Sequence, residues 1–172
     1  MCLEVFKWTD IVLFKEYLLM TESNYTERQR ESLKLWIELL RCSSKMEQII
    51  DDKLRQNYGQ NISRFDVLSQ LVREQKNGLS VGELASRLIA SKGNITGLID
   101  RMQKDGLISK NARPEDRRSY VITITDKGTT LFTEMAGNNA LWVEKALNSI
   151  DLEHMKEFTQ FLHKTRENLD EG

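Results

Sequence analysis

The chain has 172 residues, of which 40% are hydrophobic and 30% charged, with a single proline, nine glycines and a formal net charge of −1. That is enough chain for one domain with a sizeable core, and the composition excludes disordered, collagen-like and disulfide-framework classes. Cys2 and Cys42 lie too far apart in sequence for a CxxC metal site, and the apolar run Ile11–Phe14 is too short to cross a membrane. A cytoplasmic protein with no membrane association is expected, because the start also lacks the basic region and cleavage signature of a secretory signal.

Charge is unevenly placed. Residues 87 to 118 hold eight lysines and arginines against four acids, a local excess of four positive charges that leaves −5 for the remainder.

In chain order, residues 9 to 25 read as a moderately amphipathic helix capped by Thr9, and residues 1 to 30 form an N-terminal extension. From Glu31 to Gln56, apolar residues at 33, 36, 37, 40, 46, 49, 50 and 54 keep three- and four-residue spacing, the mark of a long helix with one apolar stripe. Cys42 on this helix reads as a small buried hydrophobe. A helix at 64 to 75 follows, with Ser63 as cap, Ile62 stapled to Val67, and Phe65, Leu68, Leu71 and Val72 inward. Ser80 and Glu83 have the spacing of a capping box and start a short helix ending near Ile89.

The next segment, SKGNITGLIDRMQKDGL, carries most of the information. Ile95, Leu98, Ile99 and Met102 fall at i, i+3, i+4 and i+7, and Gly106–Leu107 forms a Schellman-type stop. Gly93 and Gly97 lie on the opposite face with Asn94 and Arg101. A mid-helix glycine costs about 1 kcal/mol against alanine, which is sensible where another surface must come close. A short helix, a polar junction and this second helix have helix-turn-helix spacing, which sends the second helix into the DNA major groove. Ser91, Lys92, Gly93, Asn94, Thr96, Gly97 and Arg101 are then recognition-helix candidates. Asn94 suits adenine, Arg101 suits guanine or phosphate, and the glycines permit approach.

LISKNAR and SYVITIT read as two strands joined by RPEDRR, making a β-hairpin with a basic tip. Arg113, Arg117 and Arg118 there suit the electronegative minor groove, and Asp116 can hold Arg118 extended. Thr125 caps a helix from 126 to about 147, with a soft spot at Asn138–Asn139. Asp151 caps a last helix whose apolar residues at 155, 158, 162 and 169 suit pairing with another helix. The fold class is mainly α with a small β-hairpin. A winged helix-turn-helix at 61–125 is flanked by a helical dimerisation region at 31–60 and 126–172, and a homodimer is expected to cover the long stripes.

From about residue 31 to 169 the chain resembles the MarR family of transcription regulators, most specifically over ITGLIDRMQKDGLISKNARPEDRRSYVITITDKG, residues 95 to 128. The stop at Met102–Leu107, the wing Asp116-Arg117-Arg118 and the opening Ile124-Thr125-Asp126-Lys127-Gly128 carry the likeness, with Ile124 in place of the usual leucine. The resemblance implies a homodimer on a pseudo-palindromic double-stranded DNA operator. It also implies repression by promoter occlusion, relieved by a small aromatic or phenolic effector. Trp36, Tyr58, Phe65 and Trp142 are candidate walls for such a ligand. The Lys92-Gly93-Asn94 start differs from the common Ser-Thr-Val type, so the operator does not carry over.

Two other classes compete. A winged-helix protein-interaction module would fit the slightly acidic net charge, and a redox-sensing regulator would use Cys42 beside Arg41. No cofactor or metal is expected, since His154 and His163 are nine residues apart and cannot share a metal on one helix. No enzyme is expected either, for lack of a phosphate loop or a Ser/His/Asp arrangement.

Overall fold

A computed structural model describes residues 25–74, 78–88, 92–112 and 120–170; within these, the side chains of residues 92–94 and 170 are left undescribed. The expected helix at residues 9–24, Cys2, Ser91 and the hairpin tip with Arg113, Asp116, Arg117 and Arg118 lie outside the described residues. The elements run α1 (Glu27–Tyr58), α2 (Ile62–Glu74), β1 (Leu79–Ser80), α3 (Val81–Arg87), α4 (Lys92–Lys104), β2 (Ile108–Ala112), β3 (Tyr120–Ile124), α5 (Asp126–Ala146) and α6 (Leu152–Asp170). Two compact units divide within α1, between Gln48 and Ile49.

The first unit holds the start of α1. Thr26 and Gln29 form a capping box there: the Gln29 N–H donates to Thr26 Oγ1 (3.3 Å) and the Thr26 N–H to Gln29 Oε1 (2.8 Å). Ile37 is buried, whereas Cys42 is exposed. That corrects the expectation of a buried thiol. Five positions beyond Ile37 is about 140° around a helix, which carries Cys42 off the buried side.

The second unit contains the core. Leu54, Val67, Leu68, Leu71, Leu79, Leu84, Ile99, Met102, Leu107, Ile108, Ile122 and Met135 are all 2% exposed or less. Each such side chain contributes about 1.5–3 kcal/mol of transfer free energy, so this cluster is the main favourable term in folding the unit. The sheet has the order β1-β3-β2, antiparallel throughout, with Leu79 opposite Ile122 and Ile108 opposite Ile124. The two-residue β1 is absent from the sequence-based picture because Leu79–Ser80 is too short to show alternation. Its Ser80 still makes the expected capping box with Glu83.

Helix α2 begins two residues earlier than expected. Asn61 Oδ1 accepts the Arg64 N–H (3.0 Å), so Asn61 is the cap, and Ser63 with its proposed Ile62–Val67 staple falls inside the helix. A second acceptor comes from α1: Asp51 Oδ1 takes the Ile62 N–H at 2.8 Å while Asp51 Oδ2 pairs with Arg55 Nε at 2.6 Å. Partial burial pushes the Asp51 carboxyl up. The Ile62 N–H, the Arg55 hydrogen bond and the Arg55 charge outweigh it and hold the group below the ordinary carboxylate value.

Helix α5 packs along α2, with Phe65 and Phe132 ring centroids 5.3 Å apart. It runs unbroken through Asn138–Asn139, where Asn138 Nδ2 donates to Tyr58 Oη and Asn139 Oδ1 is buried without a hydrogen-bond partner among the described residues. Gly128, in the first turn of α5, has no room for a side chain: a Cβ would collide with the Leu107 carbonyl oxygen and lie 2.9 Å from Ile124 Cγ1.

Two stability predictions follow from these contacts. Gly128→Ala is expected to lower the unfolding free energy by about 1–3 kcal/mol in urea melts, because backbone rather than a movable side chain must give way. Asp51→Ala should cost about 1 kcal/mol at pH 7, as for loss of a helix cap. Since the folded carboxyl is the stronger acid, its contribution is complete above the ordinary Asp value near 4 and disappears as pH falls through the lowered value. Wild type and variant should converge in acid-urea titrations.

Candidate nucleic-acid interface

Helix α4 has two chemically opposed faces. Ile95, Leu98, Ile99 and Met102 are 7% exposed or less, and this quartet seats the helix against the core. Thr96, Asp100, Arg101, Gln103 and Lys104 are exposed on the other side, with Gly97 half-buried between them. Lys92, Gly93 and Asn94 occupy the first turn. These four buried and five exposed positions follow the 3.6-residue period expected of an amphipathic helix docked by one stripe.

The end of α4 is tied down at several points. Gly106, at φ +74°, takes the left-handed conformation of a Schellman stop: its N–H reaches the Gln103 carbonyl and the Leu107 N–H reaches the Met102 carbonyl, both at 3.0 Å. The Asp105 carboxylate pairs with the Arg64 guanidinium of α2. The Arg64 hydrogen bond, and then its charge, hold the Asp105 carboxyl below the ordinary carboxylate value. Lys127 Nζ donates to the Asp105 carbonyl (2.8 Å) and Thr125 Oγ1 to the Gly106 carbonyl (2.8 Å), while Thr125 caps α5 by accepting the Gly128 N–H. One turn therefore joins α2, α4 and α5.

The hairpin leaves the same turn. Lys110, on β2 opposite Ile122 of β3, places its ammonium 3.4 Å from Asp100 Oδ1 of α4 and 4.8 Å from the Tyr120 ring centroid. An ammonium over an aromatic face is attracted by the ring quadrupole. Lys110 thus links the outer face of α4 to the base of the hairpin, and it offsets a carboxylate that would repel phosphate. Sequence reasoning counted Lys110 and Asp100 only as charges. Opposite signs ten residues apart, one on a helix and one on a strand, give no periodic signal that would pair them. Arg64 and Asp105, 41 residues apart, were missed for the same reason.

Gly97 is unoccupied from within the protein. Among the described residues, a Cβ added there would meet only Arg101 Nη1, at an ordinary van der Waals distance of 3.5 Å, so none of these residues requires a glycine.

The four aromatic candidates separate. Tyr58, Phe65 and Trp142 are partly buried against the core of the second unit, Tyr58 and Trp142 with ring centroids 6.5 Å apart and Lys53 Nζ 5.7 Å from the Trp142 centroid. Trp36 belongs to the first unit and is about half exposed. Among the described residues, no three His, Cys, Asp or Glu side chains are grouped as metal ligands, and no helix is long and apolar enough to cross a membrane.

Comparison with known proteins agrees with this arrangement. The MarR family model matches residues 61–120, from the cap of α2 to the first residue of β3. The transcriptional activatory protein BadR of Rhodopseudomonas palustris is 33% identical over 104 residues, 60% of this chain and 59% of BadR. The HTH-type transcriptional repressor YetL of Bacillus subtilis is 32% identical over 104 residues, 60% of this chain and 62% of YetL. The chain thus spans about three-fifths of the length of these two relatives. The crystal structure of a MarR family transcriptional regulator from Silicibacter pomeroyi superposes with a TM-score of 0.73 at 27% identity, covering 84% of this chain and 99% of that one. Residues 61–120 are thus similar to the MarR family, and with the buried quartet of α4, the Gly106 stop and the β2–β3 hairpin the chain has the winged helix-turn-helix fold of that Silicibacter pomeroyi structure.

Proposed function

We propose that this chain is a sequence-specific, double-stranded DNA-binding transcription regulator that acts as a homodimer. The observation that carries the proposal is the outer face of α4: a helix held by four buried side chains presents Thr96, Gly97 and Arg101 outward, and it packs against β2 of the β2–β3 hairpin, whose connecting sequence includes Arg113, Arg117 and Arg118. A helix of this kind fits the major groove, and guanidinium groups at a hairpin tip suit the adjacent minor groove. Lys92, Gly93 and Asn94 in the first turn of α4, with Ser91 before it in sequence, are proposed to complete the base-reading set, and Asp116 is proposed to orient Arg118.

Dimerisation is supported by the apolar residues left in water. Phe158, Phe161, Leu162 and Leu169 on α6 are each more than half exposed. On one helix that is more apolar surface than a lone subunit ordinarily shows, and a second copy would cover it. Two winged helices related by a twofold axis call for a pseudo-palindromic operator.

Repression by covering a promoter is the proposed sense of regulation. It is supported by the similarity to YetL, described as a repressor, and weighed against the similarity to BadR, described as activatory. Release by a small aromatic or phenolic ligand is supported by the aromatic side chains Tyr58, Phe65 and Trp142, each partly buried against the core of the second unit. The exposed Cys42 lends no comparable support to a redox mechanism.

The test is a salt-titrated binding assay on a duplex operator selected by the wild-type chain from randomised sequences. Arg118→Ala and Arg101→Ala are each expected to weaken binding by about 1–3 kcal/mol and to reduce the salt slope by about one. Failure of wild type to bind any duplex at low salt would favour a protein-interaction module instead. A thermal-shift screen with phenolic and aromatic carboxylate compounds checks the effector: a rise in Tm together with release from the operator is expected.

A further inference from the structure

We infer that Gly97 is a specificity-determining residue, whose missing side chain lets the backbone of α4 seat against the operator bases. The inference rests on α4 being the DNA-reading helix.

A glycine inside a helix needs a reason, because it has more conformational freedom to lose than any other residue. Left-handed backbone is one reason, but Gly97 sits in the middle of regular α-helix Lys92–Lys104 and not among the positive-φ glycines. Internal crowding is a second, as at Gly128, where a Cβ would strike the Leu107 carbonyl. At Gly97, among the described residues, a Cβ would meet only the end of the Arg101 side chain, at a distance that real Cβ atoms commonly show. Neither intramolecular reason is found among the described residues. What remains is an external surface, and the position selects it: Gly97 lies between exposed Thr96 and exposed Arg101, opposite buried Ile95, Leu98, Ile99 and Met102. The partner that fits a helix face carrying exposed Arg101 and Lys104 is a DNA groove.

Close seating matters only where base edges are read. On unrelated DNA the complex is held by phosphate charge at looser range, so a methyl at position 97 costs little there. On the operator the same methyl must be accommodated between helix and bases, and the loss falls on discrimination. No charge is removed, so the salt slope should stay as in wild type.

The experiment uses the full chain with Gly97→Ala, and compares an operator duplex selected by wild type with a scrambled duplex. Gly97→Ala should raise Tm by about 2–4 °C, as expected for removing a helix-interior glycine from a chain of this size. Gly137→Ala, another helical position where a Cβ would meet nothing, sets the scale for that rise. Affinity for the operator should fall about tenfold, affinity for scrambled duplex less than twofold, and the salt slope should not change. Equal operator affinity in variant and wild type overturns the inference while leaving the DNA-binding function intact. So does a lowered Tm, which would reveal an internal need for the glycine, or a reduced salt slope, which would trace the loss to a displaced cation. If wild type selects no duplex at all, the proposed function itself falls, and this inference with it.

Discussion

Everything on the outer face of α4 depends on the burial of Ile95, Leu98, Ile99 and Met102 on its inner face. A helix of thirteen residues is marginal in water on its own, and this one carries two glycines that weaken it further. Its stability must therefore come from docking. Four side chains at 7% exposure or less fix the helix in rotation as well as in place, because turning it would drag Thr96 or Arg101 into an apolar core. The orientation of the outer face is thus a consequence of the inner one.

Rotation about the helix axis is one constraint, and the direction of the axis is another. The turn after α4 supplies the second. Arg64 from α2 holds Asp105, Lys127 and Thr125 from the α5 side hold the Asp105 and Gly106 carbonyls, and Gly128 lets α5 start against Leu107. These are mostly exposed polar contacts, individually weak. Their effect is geometric: the α4 terminus, the root of the hairpin and the start of α5 cannot move independently. Any change that displaces α5 is passed to α4 through packed backbone, since Gly128 lacks even the clearance for a methyl group.

How much of this was legible in the sequence follows from what periodicity can and cannot report. The buried quartet, the Gly106 stop, the Ser80–Glu83 box, the Thr125 and Asp151 caps and both long strands were readable, because each is written within a few consecutive residues. Contacts between segments distant in sequence were not. Asp51 capping α2 across the α1–α2 turn displaced the expected Ser63 start, and the contact of Tyr58 with Asn138 had no local signal. Cys42 failed differently: its neighbours suggested an apolar stripe, but its own angular position lies off it. For the candidate site, residue types and spacing identified α4 and the hairpin, while the Lys110–Asp100 link joining them is a tertiary fact.

That link also bears on how a chain of net charge −1 can present a cationic surface. Two of the four acids in the basic stretch from 87 to 118 are Asp100 and Asp105. Asp100 is offset by Lys110 from within the stretch, but Asp105 is offset by Arg64, which comes from outside it. The second pairing silences an acid without consuming any cation of the stretch itself. Arg101 and Lys104 on α4 remain exposed, and the arginines of RPEDRR add to them in sequence. Balanced composition and a locally positive face are therefore compatible: at the length scale of a groove, with a Debye length near 10 Å at ordinary salt, it is this local arrangement and not the total charge that a phosphate backbone encounters.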